Sequence, residues 1–151
     1  MTTQYETVPI NFPAAETADL VSDARAAGFR FVDRLTREWE TGENRFDRQG
    51  EKFLGVSLHR TLVGMGGLNI DPYAKDPGIG RIRHLYVLST RRRSGIGSLL
   101  LTRLLDGAEQ HFKRIRLRTA ETTPDAFYTA HGFRPSDEVN ASHELILVHD
   151  C

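Results

Sequence analysis

The spacing of apolar residues divides the chain into helical and extended segments. Leu20, Ala24, Ala27, Phe31, Leu35 and Trp39 recur every three or four positions, which places them on one helical face. Gly28 interrupts that stripe and predicts two helices in succession. Ahead of them, residues 5–10 read as a short strand. Behind them, Thr41-Gly42 ends the pattern, and the polar run at 47–50 is a loop. Three extended segments follow. Residues 53–59 alternate, 62–70 form a Gly-rich apolar run, and 82–88 contain Leu85, Tyr86 and Val87. The stretch DPYAKDPGIG between the last two reads as a loop.

A second helical stripe opens at Gly95-Ile96-Gly97, with apolar residues at 96, 99, 100, 104, 105, 108 and 112. Residues 115–119 alternate as a strand. Thr123-Pro124-Asp125 carries a cap hydroxyl, a first-turn proline and an acid near the positive helix end, and Gly132 is the matching stop. Residues 143–148 close the chain as a strand. Strands and helices mix without strict alternation, so the expected class is α/β of the α+β type, a mixed sheet covered by helices.

The length of 151 residues suits one domain spanning 1–151, and 39% hydrophobic residues suffice for a core. The one cysteine, Cys151, excludes an internal disulfide framework or a cysteine zinc site. No apolar run approaches the roughly 18 residues of a membrane span, and the polar start MTTQYETVPI does not read as a signal peptide. The expectation is a cytoplasmic protein that does not bind membranes.

Charge changes the picture. Twenty basic residues balance twenty acidic ones, but residues 81–118 carry a net +8 between flanks of −3 and −5. A basic block inside a neutral chain points away from a nucleic-acid binder and suits either a local anion site or solvated arginines matched in space by acidic residues. The block contains RHLYVLSTRRRSGIGSLLLTRLL, a strand that runs through an Arg/Gly-rich turn into an amphipathic helix. Glycine at such a turn lets a ligand approach the backbone, and the first N–H groups of a helix favour phosphate. A P-loop needs Lys-Ser/Thr after its second glycine, and the dinucleotide fingerprint needs glycine at 100. Ser98-Leu99 and Leu100 rule out both.

Arg92-x-x-Gly95-x-Gly97 after Leu85-Tyr86-Val87 resembles the signature of the GNAT superfamily of acetyl-CoA-dependent N-acetyltransferases. The likeness continues through RIRLRTA and TPDAFYTAHGF, over about residues 62–133. It implies a mostly antiparallel twisted sheet of about six to seven strands with about four helices. It also implies that Arg92, Arg93, Ser94, Gly95, Ile96, Gly97 and Ser98 hold the pyrophosphate of acetyl-CoA. The main chain of Leu85, Tyr86 and Val87 would pair with the pantetheine arm. Tyr128, the tyrosine of the FY pair, would protonate the departing thiolate. The acceptor would be a small-molecule or peptide amine, and a homodimer is compatible with proteins of this type.

One position departs from the pattern. Where many family members carry a glutamate early in the strand, this chain has Arg81, which cannot accept a proton. The other candidates for the base are His84, His143, Glu121, Asp71 and a water chain. Strict alternation places Arg81, Arg83, Leu85 and Val87 on one strand face, with Ile82, His84 and Tyr86 on the other. If Arg81 or Arg83 faces the acceptor, an acceptor with a carboxylate or phosphate is favoured. Phe29, Phe31, Trp39, Arg45, Phe46, Asp71 and Tyr73 are the residues the family pattern puts near that cleft. His131, His143 and His149 lack metal-ligand spacing. The alternative function is a non-catalytic acyl-CoA-binding protein of the same fold.

Overall fold

The computed structural model describes residues 5–12, 15–92, 94–119 and 125–147. The elements are β1 (Glu6–Pro9), α1 (Ala18–Ala26), α2 (Phe31–Thr41), β2 (Lys52–Leu58), β3 (Thr61–Ile70) and β4 (Ile79–Val87). They continue with α3 (Ile96–Leu105), β5 (Arg114–Leu117), α4 (Asp125–Ala130), β6 (Arg134–Pro135) and β7 (His143–Ile146). The strands form one sheet in the order β1-β2-β3-β4-β5-β7-β6. Every neighbouring pair is antiparallel except β4 and β5, which run parallel.

Apolar stripes decide which face each helix covers. Leu20 and Ala24 of α1 and Val32 and Leu35 of α2 pack with Met65 and Tyr86 on one face. Leu101 and Leu104 of α3 and Tyr128 of α4 pack with Leu68, Ile82, Ile115 and Leu117 on the other. The glycine-rich β3 fits because both faces are approached closely. A Cβ on Gly67 would lie 2.5 Å from the Phe46 ring, and one on Gly64 would lie 2.8 Å from Ile96.

The expected division of the first stripe holds, since Gly28 sits at φ +88° between α1 and α2. The second stripe overruns its helix. α3 ends at Leu105, Gly107 turns left-handed, and Ala108 and Phe112 reach the core through a 3-10 turn. β4 begins at Ile79, inside the predicted loop. Gly80 is a strand residue there because Ile115 and Phe112 press close, 2.7 Å and 3.1 Å from where its Cβ would be. The two-residue β6 carries no periodic signal and completes the seven strands, within the six to seven that the resemblance implies. The helix start at Thr123-Pro124 and residue 148 of the last predicted strand lie outside the described residues.

The alternation expected for β4 is wrong from His84 onward. Tyr86 pairs with Met65 and Arg83 with Gly67, so His84 and Leu85 together oppose Gly66. This is a β-bulge, and His84 adopts φ +59° to form it. Arg81 and Arg83 therefore share a face with Tyr86, while Ile82, Leu85 and Val87 share the other.

Candidate active site

Parallel pairing of β4 with β5 covers only three rungs, from Ile79↔Arg114 to Arg81↔Arg116. Beyond the last rung β4 runs on to Val87, still bonded to β3 on one side. Among the described residues no strand pairs with its other edge, so Leu85, Tyr86 and Val87 lie on a free run of main chain. Such an edge can hydrogen-bond an extended ligand as if it were another strand.

That run leads directly to the start of α3. Gly95 stands at φ +86° as the residue before the helix, and no side chain caps it. The first intrahelical bond is Leu99 N–H to Gly95 O at 3.0 Å, so the N–H groups of Ile96, Gly97 and Ser98 have no helical acceptor. Beyond its chain neighbours, nothing among the described residues lies within 4 Å of where a Gly95 Cβ would sit, so the backbone there is open to a ligand. The Ile96 side chain anchors the turn in the core. Arg92 Nη2 lies 3.4 Å from the Tyr86 hydroxyl, and Ser94 Oγ donates to the Arg91 carbonyl. Arg93 lies outside the described residues.

α4 is tied to the same turn. Ser98 Oγ is 3.1 Å from His131 Nε2, and the Phe127 ring packs against Gly97. Tyr128 is 7% exposed and belongs to the packed cluster that holds Ile82 and Leu117, the first residues of each strand past the last rung. Its ring meets Phe127, Phe133 and His143 at 5.0, 5.9 and 5.5 Å. Burial pushes its phenol above the ordinary value of 10. Apart from Arg93, the structure brings the residues expected at the turn and the free edge near the α4 that carries the tyrosine.

The candidate bases are differently placed. Asp71 is fully buried, and its Oδ2 accepts from Arg116 Nε at 2.8 Å and Arg81 Nη1 at 3.3 Å. Its Oδ1 accepts from the Tyr73 N–H at 2.8 Å. Arg81 therefore faces a structural carboxylate, with Tyr73 stacked 4.9 Å over it. Burial lowers the Arg81 pKa, opposed by Asp71. His84 is stacked on Phe31, its Nε2 is buried without a partner among the described residues, and burial lowers its pKa to about 3. His143 has both ring nitrogens engaged, Nδ1 with Ser142 Oγ at 2.9 Å and Nε2 with Asp125. Glu121 lies outside the described residues. Arg83 reaches Glu38 on α2 at 3.6 Å.

Of the aromatic residues expected near the acceptor, Phe31, Trp39 and Phe46 belong to the core cluster under α1 and α2. Phe29 and Tyr73 are exposed. Much of the basic block is matched by the acidic flank. Arg114 pairs with Glu138 at 3.0 Å and Glu144 at 3.2 Å, and Arg116 pairs with Glu138 as well as Asp71.

Sequence reasoning passed over Asp23 and Glu38. Asp23 accepts from the Tyr86 hydroxyl at 2.5 Å, from Ser89 Oγ at 2.7 Å and from the Ser89 N–H at 3.0 Å. The Tyr86 and Ser89 bonds hold its carboxyl below the usual value, while burial and Asp23 push Tyr86 up to about 12. Only contact across 63 residues could reveal that pairing. Glu38 falls three positions after Leu35 on the buried face of α2, and that misplaced charge was its one visible signal.

A free strand edge that leads into an uncapped helix N-terminus can hold an extended ligand with an anionic end. Residues 18–133 match the model of the acetyltransferase (GNAT) family, and the chain belongs to that family. Its fold is similar to that of a proposed acetyltransferase from Exiguobacterium sp. 255-15, with a TM-score of 0.81 and 27% identity over 97% of this chain and 94% of that one. It is also similar to an acetyltransferase of the GNAT family from Staphylococcus aureus Mu50, with TM-score 0.72, 18% identity and coverage of 96% and 100%. A third is the PaiA N-acetyltransferase of Thermoplasma acidophilum in complex with coenzyme A, with TM-score 0.69, 18% identity and coverage of 95% and 99%. No curated protein sequence matches the chain. No helix among the described residues is long and apolar enough to cross a membrane.

Proposed function

We propose that the chain is an N-acetyltransferase that moves the acetyl group of acetyl-CoA to an amine by direct attack in a ternary complex. The observation that carries this is the continuity of the free β4 edge, the open Gly95 turn and the uncapped α3 start. These groups fit the cofactor: four of the donors are main-chain N–H groups without a backbone partner among the described residues, and the turn has room for a phosphate. Bound there, acetyl-CoA supplies an activated thioester carbonyl and a thiolate leaving group.

The N–H groups of Gly95, Ile96, Gly97 and Ser98 hold the pyrophosphate, with Arg92 and Arg93 adding charge. The main chain of Leu85, Tyr86 and Val87 holds the pantetheine arm and leaves a donor near the bulge to polarise the carbonyl. Tyr128, kept protonated by burial, donates its hydroxyl proton to the thiolate as the C–S bond breaks. Both substrates sit at one fork, so attack is effectively intramolecular.

Tyr128→Phe is expected to lower kcat by about 100-fold or more while CoA still raises the melting temperature as it does for wild type. Thiol release measured over a panel of amines tests this. Unchanged kcat would remove Tyr128 from the mechanism. CoA-dependent stabilisation without thiol release for any amine would turn the reading to a non-catalytic acyl-CoA binder.

Asp23 ties α1 to the first residue of the turn, Ser89. Asp23→Ala removes charge-assisted bonds worth about 1 to 2 kcal/mol, so KM for acetyl-CoA is expected to rise roughly five- to thirtyfold with kcat little changed. Steady-state kinetics on varied acetyl-CoA decides it. An unchanged KM would show that the turn holds its shape without this tie.

A further inference from the structure

On the α2 face of the sheet a pocket of about 360 Å³ opens between α2, the loop after it and the ends of β3 and β4. Its wall includes Arg83, the residue just before the bulge, so it reaches the fork from the side opposite α3. Two residues in the wall are buried and incompletely satisfied. Glu38 Oε2 and Asn69 Oδ1 have no hydrogen-bond partner among the described residues, and the two residues are 8% and 4% exposed. Leaving such acceptors dry costs free energy, and a carboxylate oxygen is the costlier of the two. An ammonium group, with three donors and no acceptor, is the complement of either acceptor.

The mouth has the opposite character. Arg37 and Arg48 line it, both are exposed, and neither forms an ion pair among the described residues. Arg34 beside them reaches only the Tyr73 hydroxyl, at 3.4 Å. The acids in the wall neutralise this rim only in part, since three exposed arginines, Arg34, Arg37 and Arg48, face one exposed acid. Glu51 is engaged by the N–H groups of Arg48 at 3.0 Å and Ile70 at 2.8 Å, and Glu38 faces Arg83. Glu43 alone stands exposed in the wall. Guanidinium groups without a carboxylate partner favour a carboxylate or phosphate on the ligand.

We propose that this pocket takes the acceptor as an amine that also carries an anionic group. The ammonium end lies against Glu38 and Asn69, and the anion lies against Arg37 and Arg48. The inference rests on the acetyltransferase reading above. It moves the anion preference from Arg81 and Arg83, which are held by Asp71 and Glu38, to arginines that are free.

The test is thiol release from acetyl-CoA with matched amines that differ by one acidic group. Suitable pairs are L-leucine and isoamylamine, L-phenylalanine and phenethylamine, β-alanine and ethylamine, and phosphoethanolamine and ethanolamine. The acid-bearing member of the pairs turned over should show at least tenfold higher kcat/KM, and the last pair separates phosphate from carboxylate. In an Arg37→Ala/Arg48→Ala variant, KM for that member should rise at least tenfold, with the neutral member unmoved. Glu38→Gln should weaken both members together. Equal or faster turnover of the neutral amines, or an arginine variant with unchanged KM, overturns this inference and leaves the acetyltransferase reading standing. Thiol release with no amine in the panel, while CoA still stabilises the fold, overturns the acetyltransferase reading and this one with it.

Discussion

Asp71→Ala is expected to destabilise the protein by roughly 3 to 5 kcal/mol, the cost of stranding buried charge. Asp71 has no exposed side-chain surface, and Arg81 and Arg116 around it are 7% and 6% exposed at the side chain. Removing the carboxylate leaves two guanidiniums side by side in the interior. Arg116 keeps its link to Glu138, whereas Arg81 keeps only the face of Tyr73. The damage centres on the last rung of β4 and β5, because Arg81 and Arg116 are paired there. The clamp therefore sets where the strands part, and loosening it should weaken CoA binding as well as the fold. Urea unfolding of wild type and variant measures the first effect. A triple variant with Leu at 71 and Met at 81 and 116 should recover most of the loss, since an apolar replacement of a buried ion cluster is often neutral. A loss below about 1 kcal/mol for Asp71→Ala would mean that water already reaches the cluster.

The same cluster shows why the chain alone leaves the role of Arg81 open. From the chain alone, arginine at a position expected to be acidic looks like a lost catalytic group or an acceptor contact. The carboxylate that balances it lies ten residues earlier, in a loop with no periodicity, and its second partner lies 45 residues from Asp71. Features written in local spacing were legible: two helices split at Gly28, the β3 glycines, and the Arg-Gly turn that starts α3. The turn could be read because its chemistry is main chain and needs only glycine and an amphipathic helix behind it. The bulge could not. Histidine at φ +59° leaves no mark in a pattern of alternating side chains, yet it turns Tyr86 toward Asp23. The acceptor side was illegible for the same reason, since Glu38, Asn69 and the rim arginines come from separate elements that only the folded sheet assembles.

The bulge also leads to a pH dependence that the wild-type protein is expected to show. Its stability should fall by roughly 2 to 3 kcal/mol between pH 6.5 and 4.5, at about 1.4 kcal/mol per unit. His84 packs between Phe31 and Phe46, and the charged groups nearest in effect are Arg83 and Arg34, with Glu38 bonded to the former. Burial first, and then the two arginines, lower its pKa to about 3. The unfolded chain titrates the same ring near 6.5. Between those values the unfolded state binds the extra proton, so stability is full above about pH 6.5, declines as pH falls, and levels off below about 3. The carboxylates whose pKa is lowered, Asp23 and Glu138 among them, act in the same direction only below the ordinary carboxylate range. The window from 6.5 to 4.5 therefore isolates the histidine. Asparagine tolerates positive φ, so His84→Asn keeps the bulge while removing the proton site. The variant starts less stable because it leaves a gap beside Phe31, but its stability should be nearly level across the window. Urea unfolding at several pH values reads the slope, and equal slopes in both proteins would refute a dry, neutral His84. The burial that holds His84 neutral, against Phe31 and Phe46, also argues against it as the base.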